Sequence, residues 1–131
     1  MKEYMVSLDI ITSLSTTSQS MSELLGSRCS MLECTEIDHG SLWRLESNLD
    51  EKVSLKAHVE SIIAMIPSGI SVKSNDFIKE LYLVIGVLYY SATCTVTFPF
   101  ECISLLISKF PGINIEIICY PCSEELDDEK K

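Results

Sequence analysis

The stretch "GSLWRLES", residues 40–47, sets the reading of the fold. Side chains alternate sides along an extended chain, so Leu42, Arg44 and Glu46 share one face and Trp43, Leu45 and Ser47 the other. That pattern predicts a strand with Trp43 and Leu45 turned into a core, because a tryptophan buries a large area. Arg44 and Glu46 then fall on the outer face, where pairing with each other or with neighbours would contribute little if exposed. Upstream, Asp38-His39-Gly40 is a turn signal. Downstream lies the clearest helical period in the chain, over residues 53–66. Leu55, Val59, Ile62, Ile63 and Ile66 form one stripe, and Pro67 with Gly69 stops it.

Outward from this unit the pattern is a strand, helix and strand alternation. Residues 4–14 read as a first strand, with Val6, Leu8 and Ile10 facing one way and Met5, Ser7 and Asp9 the other. Ser20 and Glu23 have capping-box spacing for a short helix bearing Met21, Leu24 and Leu25, and Gly26 suits its end. Residues 27–40 carry no period. "SNDFIKE" (74–80) suggests one helical turn capped by Asn75 or Asp76. "LYLVIGVLYYS" (81–91) is apolar on both faces and belongs inside a sheet. "TCTVTF" (93–98) is read as its hairpin partner. Pro99 opens a helix to Phe110 with Phe100, Ile103, Ile107 and Phe110 as the buried stripe, and "INIEIICY" (113–120) alternates as a last strand. The expected fold is α+β: a two-layer sandwich with one mostly antiparallel sheet of about five strands and helices mainly on one face. Residues 1–122 form a single domain, and 123–131, "SEELDDEKK", an acidic tail in solvent.

The chain has 131 residues, 47% of them hydrophobic, and a net charge of −9. That length and composition fit one folded domain. The charge argues against nucleic acid or an anionic membrane as ligand, because phosphate contacts need clustered Lys and Arg; a basic protein is the electrostatic complement. No apolar run reaches the roughly eighteen residues of a spanning helix, and Glu3 and Asp9 interrupt the region a signal peptide would need apolar. A cytoplasmic protein with reduced thiols is expected.

The motifs that could carry chemistry are weak. Cys119-Tyr120-Pro121-Cys122 has C-x-x-C spacing, but it follows a strand and precedes an acidic tail, the wrong setting for a low-pKa thiolate. Cys29, Cys34 and His39 with Cys119 and Cys122 could supply zinc ligands; as a plain alternative, Cys94, Cys102 and Cys119 are small core hydrophobes and the others loop thiols. His58, one position before Val59, reads as a helix-flank residue. His39 beside Asp38 could reach Cys34, yet no oxyanion loop or glycine-rich phosphate loop accompanies either histidine. The expectation is no catalytic residue, no metal and no cofactor.

What remains is charge. Glu33, Glu36, Asp38, Glu46, Asp50 and Glu51 crowd one region that holds Arg44 as its cation. Such a run is ordinarily a solvated face; read functionally, it presents a negative surface to a cationic partner, speeding encounter and excluding wrong ones.

The order of elements around "LLG" (24–26), Trp43-x-Leu45-x-Ser47 and "LKAHVESIIAMI" (55–66) resembles a bacterial family known as domain of unknown function four-two-seven-nine. The chain departs from the family's usual turn after "LLG", where it has "SRCSMLECTE". The resemblance implies an α/β sandwich without catalytic residues. It also implies an immunity protein, of the kind encoded beside secreted toxins and including the contact-dependent-inhibition type. The expected partner is then a cognate basic toxin, such as a nuclease, and the free protein a monomer. The alternative is a non-catalytic scaffold module that dimerises through a sheet edge.

Overall fold

A computed structural model describes residues 2–26, 33–67 and 70–122. The elements run β1 (Lys2–Thr12), α1 (Ser18–Leu25), β2 (Glu33–Ile37), β3 (Gly40–Glu46), α2 (Leu55–Met65), β4 (Ile78–Tyr89), α3 (Phe100–Lys109) and β5 (Asn114–Pro121). They build one five-stranded sheet ordered β2-β3-β1-β4-β5. Every pairing is antiparallel except β4 with β5, which α3 joins as a crossover. This is the expected two-layer α+β fold.

Alternation decides which face is covered. Val6, Leu8 and Ile10 of β1, Trp43 and Leu45 of β3, and Leu81, Leu83, Ile85 and Val87 of β4 form one buried cluster. Met21 and Leu25 of α1, Leu55, Val59 and Ile62 of α2, and Cys102, Leu106 and Phe110 of α3 and its end complete it. The helices thus cover one face. The Trp43 indole N–H donates to Thr12 Oγ1 at 2.9 Å, which satisfies the one polar atom that its burial removes from water. Gly40 admits the closest approach in the sheet: a Cβ there would collide with the Thr12 backbone carbonyl, so any side chain would push β3 away from β1.

Several boundaries differ from the sequence reading, each for a local reason. The α1 cap is Thr17, whose hydroxyl accepts the Ser20 N–H, and not Ser20; α2 is capped by Ser54. Residues 33–37 form a strand where no period was read, because β2 is an exposed edge and burial imposes no alternation on it. It joins β3 through the Asp38-His39 turn. Residues 74–80 hold no helix: Asn75 Oδ1 accepts the Ser71 N–H in a turn, and β4 begins at Ile78. Residues 93–98 form no strand, since both sides of β4 are already taken by β1 and β5; Cys94, Val96 and Phe98 pack on the core instead. The α3 stripe is also shifted. Cys102, Leu106 and Phe110 are buried, whereas Phe100 is 77% and Ile107 53% exposed. Among the described residues no helix is long and apolar enough to cross a membrane. The proposed tail, 123–131, lies outside the described residues.

Candidate binding face

The second face of the sheet carries no helix among the described residues. The strand register places Glu3, Met5, Ser7, Asp9 and Ile11 of β1 there, beside Leu42, Arg44 and Glu46 of β3. Glu80, Tyr82, Val84, Gly86 and Leu88 of β4 continue it, then Glu116, Ile118 and Tyr120 of β5. Glu33 joins from β2, directly opposite Arg44.

At its centre Arg44 grips Asp9 with two hydrogen bonds, Nε to Oδ1 at 3.0 Å and Nη2 to Oδ2 at 2.7 Å. Ser7 Oγ donates to Asp9 Oδ1 at 2.9 Å. The Asp9 carboxylate, 7% exposed, is therefore satisfied, while the Arg44 side chain remains 42% exposed. Arg44 pairs with Asp9 across the strands and not with Glu46 along its own. Its pKa is raised, first by the hydrogen bond to Asp9, against which burial acts, and then by the charges of Asp9, Glu46 and Glu33. Tyr82 donates to Glu80 Oε1 at 2.8 Å. That bond raises its pKa most, with burial and the charges of Glu80 and Glu116 adding. The acids responsible come from all five strands: Asp9, Glu33 and Glu46 at Arg44, and Glu80 and Glu116 at Tyr82. Among the described residues the ion pairs are Arg44–Asp9 and a 4.0 Å contact between Lys56 and Glu101 on the helix layer.

A hollow of about 360 Å³ crosses one end of this face. Met5, Ser7, Val84 and Gly86 floor it, Arg44 and Glu46 border it toward β3, Ile118 and Tyr120 toward β5, and Leu49 and Glu51 close its end. The loop that carries Glu51 is fixed: the Tyr4 N–H donates to Glu51 O, and the Asp50 carboxylate accepts the Lys52 N–H at 2.9 Å.

The six candidate acids do not form one patch. Glu33 and Glu46 lie on the open face, and Glu51 lines its hollow end; Asp50 precedes Glu51 in the same loop but does not line the hollow. Glu36, opposite Ser41, and Asp38 in the turn sit at the other end of the sheet, with Glu36 on the opposite side of β2 from Glu33. Sequence proximity missed Glu3, Glu80 and Glu116, which belong to the face by register. For Glu3 and Glu80 the recoverable signal was parity, since they are out of phase with Val6, Leu8 and Ile10 of β1 and with Leu81, Leu83 and Ile85 of β4. β5 buries no residue, so Glu116 had no such signal.

His58 is buried, 1% exposed, and is no flank residue. Its Nδ1 lies 2.6 Å from Ser47 Oγ, and Nε2 has no hydrogen-bond partner among the described residues. Burial lowers its pKa, opposed by the Asp50 backbone carbonyl and the Asp50 charge. The resulting pH dependence has a definite sign. An unfolded histidine titrates at about 6.5, and the folded value lies below it. The unfolded chain therefore binds more protons in that window, and stability falls as pH drops through it. Urea unfolding at pH 7.5 and 5.5 should show this loss, and His58→Gln should reduce it; an unchanged difference would assign it to other groups. As chemistry the pair is incomplete, with Ser47 only 4% exposed and no carboxylate oxygen at hydrogen-bond distance from the imidazole.

The cysteines do not converge either. Cys34 lies on β2 and Cys119 on β5, at opposite edges of the sheet. Four strand spacings, roughly 19 Å, separate them, so one zinc ion cannot join Cys34 to Cys119 and Cys122. No group of three or more metal-ligating side chains occurs among the described residues; Cys29 lies outside them. Burial and then Glu36 raise the Cys34 pKa, which disfavours its thiolate. Comparison with protein-family models, curated proteins and solved structures finds no match, so the family resemblance rests on the sequence pattern alone.

Proposed function

We propose that the protein works by binding, not catalysis, and that its open sheet face receives a cationic protein. The observation that supports this is the joint placement of Glu3, Glu33, Glu46, Glu80 and Glu116 around an apolar floor. Glu33 and Glu46 raise the Arg44 pKa, Glu80 and Glu116 raise that of Tyr82, and the central cation is already consumed by Asp9. A surface of acids interleaved with Met5, Val84, Ile118 and Tyr120 offers long-range attraction together with apolar area to bury. A nucleic acid or an anionic membrane would be repelled by it.

The immunity-type reading fits these properties best. A basic toxin domain, a nuclease above all, must keep a cationic groove for phosphates, and an acidic face of this kind can occupy that groove. A cytoplasmic location, where such a toxin would act, belongs to the same proposal. The contact set is Glu33, Glu46 and Glu51 with Glu80 and Glu116; Glu36 and Asp38 fall at its margin. Reversing face acids to lysine tests the reading, because affinity for a basic protein must then fall steeply with the substitutions and with salt.

A further inference from the structure

The two edges of the sheet are built differently. β2 is five residues long and carries Glu33 and Glu36, the charged, short form by which edge strands resist pairing. β5 is eight residues long, and every residue in it is exposed. Its sequence, "NIEIICYP", has apolar side chains on both faces and one charge, Glu116. Ile115 is 37%, Ile117 45%, Ile118 36% and Tyr120 44% exposed. The α3 helix that leads into β5 adds Phe100, Leu105 and Ile107, all more than half exposed. Such a concentration of exposed apolar side chains on one unit marks an interaction surface.

We infer that β5 is a homodimer interface, in which the β5 strands of two copies pair antiparallel to make one ten-stranded sheet. Two features favour a second copy over another occupant. The outer edge of β5 pairs with no strand among the described residues, and it is self-complementary, since an antiparallel pair of identical strands is closed by a two-fold axis. Charge permits it only here: a copy of a chain with net charge −9 is repelled by the open face, but on β5 only Glu116 matters. Pairing centred on Ile117 sets Glu116 opposite Ile118 of the partner subunit, and pairing centred on Ile118 sets it opposite Tyr120 of the partner subunit; neither faces two carboxylates together. Area sets the strength: the edge is roughly 27 Å long with side chains above and below it, which offers several hundred Å², less than the roughly 800 Å² a standard interface takes from each partner, so the pair is a weak, reversible dimer.

The axis of such a pair is perpendicular to the sheet, because residues of equal parity must face the same side. Both open faces then lie on the same side of the dimer. The binding face proposed above would be doubled in width, although the dimer stands whether or not that proposal does. It also replaces the monomer expected from sequence.

Sedimentation equilibrium of the full chain, with a thiol reductant because Cys119 and Cys122 lie near the edge, tests it. The expected result is a reversible monomer–dimer equilibrium whose dissociation constant rises at least tenfold in Ile117→Lys and in Ile118→Lys. Glu33→Lys on β2 should leave it within twofold. All sites are exposed, and circular dichroism checks that each variant is folded. A chain that stays monomeric at millimolar concentration would overturn the inference. So would open-ended oligomers, or a dimer indifferent to both β5 substitutions.

Discussion

Trp43→Ala should destabilise the protein by about 3–5 kcal/mol, the cost of truncating a buried aromatic side chain. Trp43 is 5% exposed on β3, between Ile10 of β1 and Cys34 of β2 in the register. Its loss removes packing and also the indole N–H that Thr12 Oγ1 accepts, while the buried Thr12 hydroxyl keeps its own donation to Ser13 O at 3.2 Å. Against a total stability of about 5–15 kcal/mol for a domain, such a loss brings the fold close to its limit. Urea unfolding followed by circular dichroism measures it. Trp43→Phe should cost less, since it keeps most of the area. A loss below about 1 kcal/mol for Trp43→Ala would contradict the placement of this strand.

Reversing Glu33, Glu46 and Glu116 together to lysine should weaken binding to a basic protein by more than tenfold at low salt. Each substitution changes the face by two charges, so its field changes sign near Arg44 and Tyr82. Exposed charges act mainly through long-range attraction, which is screened over about 10 Å at 0.1 M salt and about 3 Å at 1 M. The difference between the native chain and the variant should therefore shrink as salt rises, and most of it should appear in the association rate. Equal reversal at Glu36 and Asp38, at the far end of the sheet, should have a smaller effect. Stability should change little in either set, because these side chains are exposed.

The layers of this fold were legible wherever burial writes a period into the chain. Trp43 with Leu45, the alternation of β1 and the stripe on α2 each name the covered face directly. The errors lie where burial is absent or shared. β2 and α3 expose side chains that a periodic reading expects to be buried or ignores, and residues 93–98 had β propensity, but both sides of β4, their expected partner, are taken by β1 and β5. The candidate site was half legible for a related reason. Glu33 and Glu46 stood in the right neighbourhood, but Glu3, Glu80 and Glu116 come from strands distant in sequence and meet them only through the register. His58 was misread because one position on a helix separates a flank from the core, and the hydrogen bond to Ser47 that makes its burial tolerable is invisible in the chain order.

The central claim is that the uncovered face of the sheet is the surface that meets a cationic ligand. Side-chain resonances measured during titration with a short arginine-rich peptide test it most directly. The methyl groups of Met5, Leu42, Val84 and Ile118 and the ring of Tyr82 should shift together at about 0.1 M salt and return toward their free positions near 1 M. Shifts confined to Leu105, Ile107 and Ile115 on the helix side, or none at all, would contradict it.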